Sequence, residues 1–364
     1  MVDLFSFRPL AKLLELFDHY PPFAGIDFGT SSTKLLIADR QDGRPLICGF
    51  ASFRTPEGSV VDREPVDPEP LVSVLGETLR TFSVKVHHAV VSVSSDQTIL
   101  RVLNLPTRLS EIELEDRIYE EVERFLPFSV EEVYLDYQPI GPSPSRPDHQ
   151  DYLVVAARRE SVDRILAVLE GVGLEPVIID VEAFALLNGL MVGGARTAEG
   201  AIALLDLGAA ATTFYLFDRE RPVLQRSAKI GGRDLLQRLE ETLGLPHEEA
   251  LQLQQQPSRW EEAFRKEVFF PFLQDLIQQA QLLLQAAPPE IPFDRISMSG
   301  GMALIPGMAK LLEQALQKRV ETVNPFAQAV FSPDLDSGRL INTAPLWGRA
   351  AGLAYRYLQF DGTR

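Results

Sequence analysis

The feature that most constrains this chain is a short pattern found once in each half. A hydrophobic strand ends in aspartate, glycine and small residues follow, and a second strand begins. The first copy reads Ile26-Asp27-Phe28-Gly29-Thr30-Ser31-Ser32-Thr33-Lys34. The second reads Leu205-Asp206-Leu207-Gly208-Ala209-Ala210-Ala211-Thr212. Each opens a set of strands joined by tight turns: FAGIDF, KLLIAD and LICGFAS in the first half, AIALLDLG, TTFYLFD and VLQRSAKIGG in the second. One such hairpin on its own reads as an ordinary β-turn. Two, each heading a meander, read as a duplicated α/β fold.

Small residues let the backbone turn sharply and bring its N–H groups close to an anion. Gly29, Gly208, Ala209 and Ala210 are therefore candidate phosphate contacts, and the hydroxyls of Thr30, Ser31, Ser32 and Thr212 add donors. Asp27 and Asp206 share the sign of phosphate, so their expected role is to hold Mg²⁺ through its water, since this ion keeps much of its hydration shell. Lys34 supplies compensating positive charge. Two glycine pairs accompany the second hairpin, Gly231-Gly232 before Arg233-Asp234 and Gly300-Gly301 before Met302, each between a strand and a helix. Such pairs either admit a flat ring or phosphate or form turns of positive φ. There is no G-x-x-x-x-G-K-[ST] loop and no G-x-G-x-x-G after a strand, which disfavours P-loop and dinucleotide folds.

The chain has 364 residues, enough for about two domains. It carries 51 acidic against 35 basic residues, a net charge of −16, which repels polyanions and argues against nucleic-acid binding. A single cysteine, Cys48, excludes an internal disulfide framework, fits a reducing compartment and reads as packing. No apolar run reaches the ~18 residues of a membrane span. The start of the sequence lacks the pattern of a secretory signal.

Residues 1–22 hold an amphipathic helical segment with Leu10, Leu13, Leu14 and Phe17 on one face, stopped by Tyr20-Pro21-Pro22. Gln41-Asp42-Gly43 is a hairpin-turn signal. Helices are expected at about Leu71 to Phe82, Ser110 to Leu126, His247 to Gln256 and Glu261 to Gln285. In the Ser110 helix, Ile112, Leu114, Ile118, Val122 and Phe125 are read as one apolar stripe. Strand Ile99 to Leu105 offers an edge to which a peptide could add.

The residues resemble the actin/Hsp70 superfamily. Asp27, Gly29 and Lys34 are similar to its first phosphate motif, and Asp206, Gly208 and Thr212 to its second. Ser299-Gly300-Gly301 is similar to its adenosine motif, and Ile230-Gly231-Gly232 with Asp234 to a stretch near the nucleotide. Ala210 departs from the glycine often found there. Further segments, Glu120 to Phe128, Glu131 to Tyr137, Val155 to Arg158, Asp180 to Phe184 and Val323 to Phe326, resemble the PilM family of type IV pilus assembly, a relative of FtsA.

The resemblance implies an actin-like (ribonuclease H-like, duplicated) two-domain α/β fold. Residues 23–97 would form subdomain 1A, completed by 178–198 and 345–364. Residues 98–177 would form the FtsA/PilM-type inserted 1C subdomain, and 199–344 domain 2, with a helical 2B-type insertion around 233–290. It also implies ATP or ADP with Mg²⁺ as ligands, and a scaffold at the cytoplasmic face of the inner membrane. That scaffold would bind the cytoplasmic N-terminal tail of PilN in a groove near the inserted subdomain, with pilus ATPases and other platform proteins as further partners. Membrane association would be indirect, through those partners. The alternative within the fold is an MreB/FtsA-like filament former. Asp206 and Glu182 are candidates to polarise an attacking water, with weak or no ATP hydrolysis expected.

Overall fold

The computed structural model describes residues 22–144, 146–194, 200–219 and 221–356. The amphipathic segment before Pro22, most of the linker before Ala201 and the tail after Arg356 lie outside the described residues. The chain divides into two compact units. The first runs to Asn188 and takes back Val330–Leu335 and the residues from Ala350; the second comprises Gly189–Ala329 and Asp336–Arg349.

The strands of the first unit are β1 (Phe23–Phe28), β2 (Ser32–Gln41), β3 (Arg44–Arg54), β4 (Val60–Val61), β5 (Glu64–Pro65), β6 (His88–Val93), β7 (Thr98–Pro106), β8 (Val133–Pro142), β9 (His149–Arg158) and β10 (Glu175–Val181). The main sheet has the order β10-β6-β1-β2-β3, with the short strand Val330–Phe331 beside β3. All six residues of β1 are buried, as expected of a central strand covered on both faces. β1 runs antiparallel to β2, placing Asp27 opposite Lys34, and parallel to β6. The β2–β3 turn has Asp42 at φ 50° and Gly43 at φ 75°, the left-handed pair of a type I′ hairpin.

Helix Gly348–Arg356 supplies Ala350, Leu353 and Ala354 to this unit, and the sheet side provides Gly25. A side chain there would put its Cβ 2.4 Å from the Ala354 nitrogen and 2.5 Å from the Ala350 carbonyl. Arg356 is fully buried, with Nε 2.8 Å from Asp180 Oδ2. A second, three-stranded sheet has the order β7-β9-β8 and is covered by helix Glu111–Glu123. Ser110 and Glu113 form a reciprocal capping box at its start. Ile118 and Val122 are buried against Leu105 and Val154. Ile112, expected in that stripe, is instead 74% exposed. Positions 114, 118 and 122 repeat every four residues, and 112 falls on the flank of that row.

The second unit is built on β11 (Ala201–Leu207), β12 (Thr212–Asp218), β13 (Arg221–Ala228), β14 (Arg295–Ser299) and β15 (Arg319–Thr322), in the order β13-β12-β11-β14-β15. Its core joins Leu205, Phe214 and Met298 of the sheet to Leu235, Val268, Phe272 and Leu276 of the helices. The helix expected over Glu261 to Gln285 is broken into Glu262–Phe264, a π-helical turn Arg265–Phe269 and Phe270–Gln285. Pro271 explains the break. It has no N–H to donate, and its ring would clash with the carbonyl four residues back, so the preceding turn widens. Among the described residues, no helix is long and apolar enough to cross a membrane.

Candidate functional site

The first hairpin is the β1–β2 turn. Gly29 donates its amide to the Asp27 carbonyl at 3.1 Å. Lys34 Nζ lies 3.2 Å from Asp27 Oδ2 and 3.1 Å from the Ser32 carbonyl, so one ammonium holds both the acid and the far side of the turn. Acid and lysine are both buried. Thr30 is buried as well, whereas Ser31 is exposed and Ser32 half-buried. Sequence reasoning missed Thr55, at the end of β3. Its hydroxyl donates to the Gly29 carbonyl at 2.6 Å and its amide to the Ser31 carbonyl at 3.1 Å, pinning the hairpin from one side.

The second hairpin is the β11–β12 turn, held from behind by the loop Ile230–Gly232. The amide of Gly232 donates to the Gly208 carbonyl at 3.0 Å, and that of Arg233 to the Ala209 carbonyl at 2.8 Å. The Gly231 amide donates to Asp234 Oδ2 at 2.7 Å. Thr212 is fully buried and its hydroxyl donates to the Ile230 carbonyl at 2.9 Å. The Thr212 proton and these three amides are thus engaged inside the fold, and they hold the turn in shape. By contrast, the amides of Ala209, Ala210 and Ala211, all half-buried, have no acceptor among the described residues. Successive amides with no acceptor of their own are what an oxyanion needs.

Asp206 accepts a hydrogen bond on one oxygen and faces a cation with the other. Ser299 Oγ donates to Oδ1 at 2.7 Å, and the Arg349 guanidinium stands 3.4 Å from Oδ2. Gly300 has φ 91°, and a Cβ on it would lie 2.3 Å from the Leu207 carbonyl, so only glycine lets β14 leave the sheet so close to the hairpin. Gly301 is exposed and Met302 buried beside Gly232. In the first unit, Glu182 is buried and paired with Arg63 at 2.5 Å. Arg63 sits in the β4–β5 turn at φ 67°, next to Asp62 at φ 47°. This turn lies in a stretch that reads as plain loop in the sequence. The structure therefore gives Asp27, Asp206 and Glu182 each a cationic partner, and two of the three partners, Arg63 and Arg349, carried no motif. The signal for Arg349 is a lone charged residue in the small-residue run Gly348-Arg349-Ala350-Ala351-Gly352. Among the described residues, no cluster of three or more histidine, cysteine or acidic side chains could cage a metal ion.

The three-stranded sheet presents β7 as one of its edges. Arg101 is exposed there, and Val102 is 44% exposed.

Comparison with known proteins gives one family and a graded set of folds. A family model described as type IV pilus assembly protein PilM matches residues 25–358. A solved PilM-PilN type IV pilus biogenesis complex is 27% identical over 92% of this chain and 98% of its own, with a TM-score of 0.76. The ethanolamine utilization protein EutJ from Carboxydothermus hydrogenoformans is 17% identical over 92% of this chain and 89% of its own, with a TM-score of 0.58. MreB5 of Spiroplasma citri, solved with AMPPNP, is 14% identical over 93% and 97%, with a TM-score of 0.54. The fold is actin-like.

Proposed function

The chain belongs to the PilM family of type IV pilus assembly proteins, and from that premise we propose that it is a scaffold of the pilus assembly platform that carries a nucleotide. The observation that supports nucleotide binding is the second hairpin. Three successive amides without an internal acceptor sit on a turn that Gly232, Arg233 and Thr212 hold rigid. Lys34 offers the first hairpin a buried positive charge. The ligand is ATP or ADP, with Gly29, Thr30, Ser31, Ser32, Gly208, Ala209 and Ala210 lining its phosphates. Gly300, Gly301 and Met302 take the nucleoside side, with Gly231 and Gly232 supporting the turn.

Mg²⁺, when bound, would neutralise phosphate charge. Asp27 and Asp206 fit it through water rather than directly, because each carboxylate already faces a cation. The same pairing argues for weak or no hydrolysis. A carboxylate held by a guanidinium is a poor proton acceptor, which applies to Asp206 and to Glu182.

The partner is the cytoplasmic N-terminal tail of PilN, bound near the inserted subdomain. That places the protein at the cytoplasmic face of the inner membrane through its partners. Calorimetric titration with Mg-ATP tests the nucleotide reading. Asp27→Ala and Asp206→Ala should each weaken binding by on the order of tenfold or more, as expected when a charged group of a ligand shell is lost. Unchanged affinity in both variants would overturn the site assignment. Filaments on ATP addition, with no binding of a PilN peptide, would instead favour the MreB-like alternative.

A further inference from the structure

Arg63 stands where the backbone favours a different residue. The loop that joins β4 to β5 has Asp62 at φ 47° and Arg63 at φ 67° between the paired residues Val61 and Glu64. Two-residue loops of this left-handed kind prefer glycine at the second position, so a long side chain there is kept against the conformational preference. What it reaches is the buried acid Glu182, with Nη1 2.5 Å from Oε1. The next residue, Glu64, ties the same hairpin to helix Arg159–Gly171. It is buried, accepts the Ser161 hydroxyl at 2.9 Å and stands 3.6 Å from Arg164 Nη1. Glu182 opens helix Glu182–Val192 directly after β10. In the main sheet Ile26 of β1 pairs with Val91 of β6, and Val91 with Ile179 of β10, all three strands running parallel. Gly29 follows Ile26, and Glu182 follows Ile179, by the same number of residues. Both therefore emerge at one end of the sheet, two strand spacings or about 10 Å apart.

We propose that Arg63 is a positioning residue that brakes ATP hydrolysis, by holding the Glu182 carboxylate away from the proton of a water at the phosphates of the first hairpin. The restrained step is simple to write. The water oxygen bonds to the terminal phosphorus, its proton passes to Glu182, and the bond from that phosphorus to the bridging oxygen breaks, leaving ADP and inorganic phosphate. A carboxylate committed to a guanidinium is a poor acceptor for that proton, and arginine stays charged at every accessible pH. A positioned general base is worth on the order of 10²–10⁴-fold in rate, so one side chain can separate a nucleotide clamp from an ATPase. The anchored, left-handed turn fits this role, because it presents the guanidinium to Glu182 from a loop that Glu64 fastens in place.

The inference rests on the nucleotide reading, and the test separates the two. Phosphate release from Mg-ATP is followed for the full chain, with ATP binding measured beside it by calorimetry. Arg63→Gly, which suits the left-handed turn, should raise turnover by on the order of tenfold or more. Arg63→Lys, which keeps a cation at Glu182, should forfeit that gain, and so should Glu182→Gln added to Arg63→Gly. Thermal unfolding without ligand identifies the variants that fold, and Arg63→Asn, also tolerant of positive φ, replaces Arg63→Gly if that variant does not. A merely structural arginine would leave turnover unchanged or lower in a folded variant that binds ATP, and that result overturns the proposal. A gain that survives Glu182→Gln overturns it too, because the acceptor is then another group. Loss of ATP binding in Arg63→Gly alone would make Arg63 a phosphate ligand instead of a brake. Absence of ATP binding by the wild type removes the nucleotide reading and this inference with it.

Discussion

At the scale of single residues, buried acids are the recurring theme. Asp27, Asp180, Glu182 and Asp206 are all buried, and each has a basic partner: Lys34, Arg356, Arg63 and Arg349. The sequence made only the first of these pairs legible, because Lys34 lies seven positions from Asp27 on adjoining strands. The other three partners are distant in sequence, and nothing local marks them. Cys48 is the opposite case, where a bland reading from sequence holds. Burial, with help from Asp39, pushes its thiol up to about 11, so little thiolate exists at neutral pH.

The Asp180–Arg356 pair is the most enclosed, at 0% and 2% side-chain exposure. Arg356→Met should lower stability by about 3–5 kcal/mol, because it leaves a carboxylate buried without a counter-charge. Adding Asp180→Asn should recover most of that loss. Urea unfolding of the two variants measures the difference, and equal stabilities would mean that the pair contributes packing alone.

At the scale of elements, period and turn chemistry made most strands and helices legible. The Asp42-Gly43 turn formed as its residues require. The misses have physical causes. The hairpin of β4 and β5 is two residues a side, too short for any period to register. Strand Val330–Phe331 is paired by β3, whose sequence lies far away. The π turn before Pro271 is a local accommodation inside a pattern that otherwise reads as one helix.

β7 carries the element-scale prediction. It is an edge strand, and its Val102 is a large apolar side chain in water. Edges of this kind accept an added strand, with pockets for alternate side chains setting specificity. Val102→Asp should change stability by no more than about 0.5 kcal/mol, as for an ordinary surface position. It should still weaken binding of a PilN N-terminal peptide, measured by fluorescence anisotropy, by several-fold. Unaltered affinity would mean that the tail does not add to β7.

At the scale of the whole molecule, the net charge of −16 and the duplicated hairpins set the terms. The duplication was legible because each copy pairs an acid with small residues at the head of a meander. The role of Gly231 and Gly232 was not, since a glycine pair looks the same whether it meets a ligand or another backbone. If nucleotide state governs the scaffold, the two ligands must be thermodynamically linked. Mg-ATP should shift the affinity for the PilN peptide by about fivefold or more, and the peptide should shift ATP affinity by the same factor. Titrating each ligand with and without the other checks both halves of that statement. Identical affinities would leave two independent sites.

The first unit is discontinuous, and this matters while the protein is being made. Its sheet is completed by Val330–Phe331, and Asp180 gets its counter-charge only from Arg356. Every residue from Gly189 to Ala329 must leave the ribosome before either arrives. At about 5–20 residues per second, that delay is on the order of ten seconds. During it, the outer edge of β3 stands open, and the groove above Gly25 waits for the helix that fills it. The sheet of the second unit, whose strands all fall between Ala201 and Thr322, can form first. A nascent chain with an open edge is a natural client for chaperones, so the order of synthesis sets a demand on holding factors rather than any property of the finished fold.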